Sequence, residues 1–230
     1  IPIAHIQGGE LSGNIDEKVR HAVTKLSNIH FPATKKSMQN IIQMGENKKN
    51  VFKTGCPSID IAKEIIRNKK KLSFDIYKKY GGVGSFPNLD KGYVVVMQHP
   101  VTDENKISGK QIIETLKAVS KINRAIIWFW PNVDIGTDRI STNLRIFREK
   151  TKSKNFHFIK NMNPYDFLEL LYFSNGIIGN SSCAIRECSF LGVPAVNIGT
   201  RQINRERGPN VIDVNYNHKQ IYKAFTKITD

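Results

Sequence analysis

Cysteine is scarce: Cys56, Cys183 and Cys188 are the three in 230 residues, an odd count with no C-x-x-C pair. That excludes a disulfide scaffold and thiolate metal sites of the usual spacing, and reduced thiols in a cytoplasmic setting are expected. No apolar run approaches the roughly 20 residues that cross a bilayer, so no membrane helix is expected. No His/Asp/Cys cluster has ligand spacing, and the sequence calls for neither a metal nor a cofactor. Internal repeats and low-complexity tracts are missing, which excludes solenoids and repeat arrays. The opening "IPIAHIQGGE" has no initiating Met, no basic n-region and no signal-type core. It reads like the middle of a protein and carries no mark of export.

Acidic residues are in the minority, 20 against 35 Lys and Arg, for a formal net charge of +15. Such a balance invites a nucleic-acid reading, because clustered cations neutralise phosphates. The lysines, however, come in scattered groups such as Lys48-Lys49, Lys69-Lys70-Lys71 and Lys78-Lys79, mixed with Ile and Asn. No zinc-finger spacing, basic zipper or RNP-like aromatic motif accompanies them, so nucleic acid is not the expected partner. A solvated basic surface still favours a small anionic ligand.

The chain alternates strand and helix signals. Asp16 to about Leu26 is helical by period, with Val19, Ala22, Val23 and Leu26 on one face. "SNIHFPAT" reads as a short strand and turn, "KKSMQNIIQMG" as a helix closed by Gly45, and "KNVFKTGCPSID" as a strand leading into "IDIAKEIIRNKKK". This is the signature of βαβ units on a parallel sheet. Residues 81–92, "GGVGSFPNLDKG", are rich in Gly, Pro, Asn and Asp and read as a linker. The expected division is therefore 1–80, the linker 81–92, and 93–230. The last block opens with "YVVVMQHP" and continues with strands at "AIIWFWPN", "FHFIK" and "GIIG", each followed by a helical pattern. Continuous apolar strands imply burial on both faces, as in a doubly wound sheet.

In an open α/β sheet, ligands gather at the carboxyl ends of the strands. Four polar sequences fall there: "QHP" at 98–100, "PNVD" at 131–134, "KNMNP" at 160–164 and "GNSS" at 179–182, with "NIGTRQ" at 197–202 after a further strand. Ser181 and Ser182 stand where the run Ile177-Ile178-Gly179 stops and a helical pattern from Cys183 to Leu191 begins. Serine is a preferred N-cap on any helix and needs no ligand to be there. The same position also offers unpaired N–H groups and the positive end of a helix dipole to a phosphate.

The motifs "HIQGGELSGNIDEKVRHAVTKLSNIHFPAT", "GCPSID", "HPVT", "PNVD", "GNSSCAIRE" and "NIGTRQINRERG", in this order, resemble the UDP-N-acetylglucosamine 2-epimerase family, in particular its hydrolysing branch of sialic- and nonulosonic-acid synthesis. The resemblance implies a GT-B-like α/β fold of two Rossmann-like domains with parallel sheets, here with the N-terminal one incomplete, since members normally carry roughly a hundred residues before "HIxGGE". Residues 1–80 would then belong to the N-terminal domain and 93–230 to a UDP-binding one. It also implies a UDP-sugar substrate and a homo-oligomer, a dimer or tetramer.

Carried over by position, the resemblance puts Ser181 and Ser182 on the diphosphate, Glu187 on the ribose hydroxyls, Arg201 near phosphates or sugar, and Asn132 and the Met162 backbone near the uracil. Among the catalytic positions it implies are Asp16, a carboxylate, and Arg20, one turn later on the same helix face and able to hold it ionised or touch substrate. His99 matches a histidine beside the leaving diphosphate, where an imidazolium would stabilise charge. Family members often carry glutamate as the third residue of "HIEGGE", where this chain has Gln7. An amide cannot take a proton at neutral pH. Either Asp16 works alone, or Glu10 substitutes, or the position of Gln7 serves orientation. A non-hydrolysing epimerase, a GT-B glycosyltransferase and a UDP-sugar-binding protein without activity remain the alternatives.

Overall fold

A computed structural model of the protein describes residues 1–12 and 15–229; residues 13 and 14 of the first motif lie outside them. The chain divides into two compact units, residues 1–60 with 201–206, and residues 61–200 with 207–230.

In the first unit, β1 (Ala4–Ile6) pairs in parallel with β2 (Ile29–Phe31), and α1 (Ile15–Leu26) connects them. α2 (Lys35–Gln43) follows, its first turn capped by the Thr34 hydroxyl, which accepts from the Ser37 N–H. The strand expected near Val51 shrinks to a single bridge to His30. The apolar face of α1 has the anticipated period, yet Val19 and Leu26 are 58% and 73% exposed, and Thr24 is the buried residue of the helix.

The second unit is built on one seven-stranded sheet. Its parallel strands are β4 (Tyr93–Met97), β5 (Ala125–Phe129), β6 (Phe156–Ile159), β7 (Ile177–Gly179), β8 (Ala195–Ile198) and β9 (Val211–Val214). Between them run α5 (Ser108–Val119), α6 (Thr137–Thr151), α7 (Pro164–Tyr172) and α8 (Glu187–Leu191), and α9 (His218–Thr229) ends the chain. Spatial order is β6-β5-β4-β7-β8-β9, the doubly wound arrangement in which strand order reverses between β4 and β7. Strand residues alternate between two cores. Val95, Ile127 and Ile177 join one, and Val94, Val96, Ile126 and Ile178 the other, which is why these strands read as continuous apolar runs.

Two boundaries differ from the sequence expectation. Residues 61–80, read as part of the first domain, pack within the second unit: α3 (Ser58–Asn68) and α4 (Ile76–Tyr80) are tied to α7 by charge. Lys69 Nζ lies 3.0 Å from the fully buried Glu169 carboxylate, and Lys79 and the Tyr80 hydroxyl both reach Asp166. Lysines that looked like solvent-facing charge thus neutralise carboxylates that burial would otherwise penalise. Residues 81–92, read as a linker, contribute β3 (Val83–Gly84), antiparallel to β6 at the edge of the sheet. Gly84 has φ +113, and a Cβ there would stand 2.5 Å from the Phe156 carbonyl oxygen, so the glycine serves close approach rather than flexibility.

At the far edge Glu114 of α5 accepts from Lys117 Nζ at 2.8 Å and from the His218 N–H and Nδ1 at 3.0 and 2.7 Å. The Lys117 bond, then those from His218, hold its carboxyl down from 4.5 to about 2. A lowered folded value means stability that is present above the unfolded value and lost as pH falls toward the folded one. The melting temperature should therefore decline between about pH 4.5 and about 2, and Glu114→Gln should flatten that decline. At this partly exposed site the contribution is about 1 kcal/mol or less. Thermal melts of both proteins across that range are the check.

Candidate functional site

β4 and β7 lie side by side at the point where strand order reverses, and their carboxyl ends deliver His99 and the Asn180-Ser181-Ser182 turn next to each other. The two ends are locked by reciprocal bonds. The His99 N–H donates to Asn180 Oδ1 at 2.7 Å, and Asn180 Nδ2 donates to the His99 carbonyl at 2.8 Å, with Asn180 fully buried. Gly179, at φ +145, lets β7 pass so near β4 that a Cβ would sit 2.0 Å from the Met97 carbonyl oxygen. His99 and the serine hydroxyls therefore share one rim, as the sequence pattern implied.

The helix after the serines differs from the single run expected from Cys183 to Leu191. A 3-10 turn, Ser182–Ala184, is followed by Arg186 at φ −92, ψ −74, and only then by the five-residue α8. So short a helix has little dipole to offer. Ser181 makes no side-chain cap bond to the backbone of its turn, and its Oγ accepts from the Cys183 thiol at 3.2 Å. Ser182 Oγ accepts from Arg186 Nη2 at 3.2 Å. The break turns Glu187 inward: it is 6% exposed, its Oε1 is 3.6 Å from Arg186 Nη2, and its Oε2 is buried without a hydrogen-bond partner. A desolvated carboxylate oxygen without a donor is costly unless something else supplies one.

The thiols beside it are inert. Burial pushes Cys183 up to about 12 and Cys188 well above its ordinary value, so both pack as small apolar groups.

Three further strand ends follow on from this rim. After β5, the Asn132 N–H donates to His99 Nδ1 at 3.1 Å, while the Asn132 carbonyl accepts from the Thr137 hydroxyl and from the Asp134 N–H. After β6, Met162 is 7% exposed and its N–H is held by the Asn161 side chain at 2.8 Å. The loop after β8 is anchored through the Thr200 hydroxyl, which reaches Glu104, itself held by Gln111. Asn180, Thr137 and Glu104 were not singled out from sequence. Asn180 stood in plain view within "GNSS", whereas the other two act across elements and leave no local signal.

The remaining expected residues lie in the first unit. Gln7 adopts φ +63, and its Nε2 donates to Cys56 Sγ at 2.8 Å. Gly9, at φ +80, packs against the Ser37 carbonyl, where a Cβ would be 2.2 Å away. Glu10 pairs with Arg205 at 3.1 Å. Arg20 Nη1 donates to the Glu10 carbonyl at 2.8 Å and to Ser12 Oγ at 3.4 Å. No ion pair joins Arg20 to Asp16 among the described residues, and the same-face pairing expected from their spacing is not made, because the backbone of Glu10 claims the guanidinium. Asp16 stands exposed in the first turn of α1. Arg201 also belongs with this unit, since residues 201–206 leave the second one. Among the described residues no group of three His, Cys, Asp or Glu is arranged to hold a metal ion, and no helix is long and apolar enough to cross a membrane.

The family described as UDP-N-acetylglucosamine 2-epimerase matches the chain over residues 1–230. The chain is 34% identical over 222 residues to a UDP-N-acetylglucosamine 2-epimerase of Neisseria meningitidis, covering 96% of this chain and 55% of that protein. It is 35% identical over 221 residues to the UDP-N,N'-diacetylbacillosamine 2-epimerase (hydrolyzing) of Legionella pneumophila, covering 96% and 56%. It thus spans about half the length of these curated relatives. Its fold is shared with the crystal structure of the Methanocaldococcus jannaschii UDP-GlcNAc 2-epimerase in complex with UDP-GlcNAc and UDP, with a TM-score of 0.74 at 18% identity over 100% of this chain and 63% of that one. The likeness carries the α/β, GT-B-type architecture.

Proposed function

The chain belongs to the UDP-N-acetylglucosamine 2-epimerase family, and on that premise we propose that it acts within a hydrolysing 2-epimerase. Its substrate is UDP-N-acetylglucosamine or a related UDP-2-acetamido sugar, and its products are UDP and the 2-epimeric free hexosamine. The observation that carries the nucleotide half of this reading is Glu187 Oε2, a buried acceptor without a donor, on the turn that starts at Ser181. Ribose hydroxyls are donors of the right kind, and charge-assisted bonds to them would offset the desolvation. Ser181 and Ser182 then lie at the diphosphate, and Asn132 and the Met162 backbone near the uracil.

The chemistry splits into two steps. A base takes the C2 proton while UDP departs with the C1–O electron pair, leaving a 2-acetamidoglucal. Water then adds across the double bond, its hydroxyl to C1 and a proton to C2 from the opposite face, so one water is consumed per UDP released. Asp16 is favoured as the base over Glu10, whose carboxylate is engaged by Arg205. Gln7 serves orientation. Arg20 and Arg201 contribute positive charge toward the sugar and phosphates, and His99 donates to the leaving diphosphate. The likeness to the hydrolysing 2-epimerase of Legionella pneumophila supports the hydrolysing branch.

Product analysis in heavy water with UDP-N-acetylglucosamine tests this. The expected result is UDP together with a free hexosamine carrying deuterium at C2. A labelled sugar still attached to UDP would move the protein to the non-hydrolysing branch. Binding of UDP without turnover would leave a nucleotide-sugar-binding protein.

A further inference from the structure

We propose that His99 is held as the neutral tautomer protonated at Nε2, fixed by the backbone of Asn132, and that it meets the diphosphate as a neutral hydrogen-bond donor. The diphosphate clause rests on the function proposed above; the tautomer does not. A backbone N–H can only donate, and that of Asn132 points at His99 Nδ1 from 3.1 Å. Nδ1 must therefore present a lone pair, and the ring's single proton sits on Nε2. Protonating Nδ1 would set two N–H groups against each other and break the bond.

Both sides of that bond are fixed. The His99 backbone is clamped by Asn180 from β7. The Asn132 carbonyl is gripped by the Thr137 hydroxyl, which also accepts from the Asp134 N–H at 3.0 Å, closing a tight turn at the start of α6. His99 is 5% exposed, so water does not readily replace the missing donor if the turn opens. The arrangement changes what the residue offers. A lone imidazolium carries its charge at all stages, whereas a neutral N–H, pre-aimed and largely desolvated, strengthens as negative charge develops on the oxygen it faces. Thr137 and the Asn132 backbone are then positioning groups that act through His99.

Nitrogen NMR of the protein with labelled histidine decides the matter. The chain has six histidines, and loss of one ring's signals in His99→Gln identifies His99. Expected in the free protein at neutral pH is a pyridine-like Nδ1 and a pyrrole-like Nε2. Two pyrrole-like nitrogens, or the proton on Nδ1, would overturn the proposal. Thr137→Val should shift the Nδ1 signal away from its pyridine-like limit while the protein stays folded, and an unmoved signal would remove Thr137 from the lock. On addition of UDP, the Nε2 signal should move while Nδ1 stays pyridine-like; conversion to an imidazolium pattern would refute the neutral-donor role. Failure of UDP to bind would count against the nucleotide reading and leave the free-protein spectrum to decide the tautomer.

Discussion

Glu187→Gln should weaken UDP binding by about 10- to 100-fold and, in the same protein, raise rather than lower the melting temperature without ligand. The first half follows from losing charge-assisted bonds to the ribose, about 1.5–3 kcal/mol. The second follows from the cost of a 6% exposed carboxylate with an oxygen that finds no donor. The neutral amide relieves that cost and leaves the shape of the turn intact. Opposite signs for affinity and stability are the mark of a group kept for binding. Calorimetric titration with UDP and a thermal melt on the same samples give both. An unchanged affinity would take the ribose away from Glu187, and a large loss of stability would make the residue a structural one whose partner is the Arg186 guanidinium.

Gly179→Val should remove the second unit's folded state under conditions where the parent is stable. Two penalties coincide: a backbone at φ +145, which an L side chain rarely adopts, and a Cβ directed at the Met97 carbonyl oxygen from 2.0 Å. Neither side can yield cheaply, since Met97 and Gly179 are register partners in the middle of the sheet. Together the penalties come to about 3 kcal/mol or more, against a total stability of about 5–15 kcal/mol. The measurement is a denaturant midpoint, with Gly192→Ala as the comparison, because a Cβ at Gly192 meets nothing within 4 Å. If Gly179→Val melts with the parent, the β4–β7 contact is not the tight one described.

Much of this fold was legible because both-face burial writes itself into the chain as apolar runs. Val94 to Val96 and Ile126 to Phe129 could hardly be anything but central strands, and the polar ends of those runs pointed to the rim where His99 and Asn180 are bonded. The break before α8 was not legible. The spacing of Cys183, Ile185 and Leu191 suits a continuous helix, and what permits the interruption is distant: Asn210 Nδ2 donates to the Ala184 and Val193 carbonyls at 3.2 and 2.9 Å. Composition likewise cannot tell a glycine that bends freely from one that passes close to a neighbour, so the strand at Val83 looked like linker. Spacing put Asp16 and Arg20 on one face of α1, but the Arg20 guanidinium was already claimed by a backbone oxygen that no helical periodicity reveals.

The membership of residues 201–206 in the first unit makes that unit discontinuous in sequence. Cutting the gene once, after Asp60, would strand Glu10 without the guanidinium of Arg205 and leave the other piece with a six-residue excursion that has lost its host. Neither half can be expressed whole as one uninterrupted polypeptide, and a protease would have to cut on both sides of residues 201–206 before Arg205 lost its covalent tether to the unit that holds the large sheet.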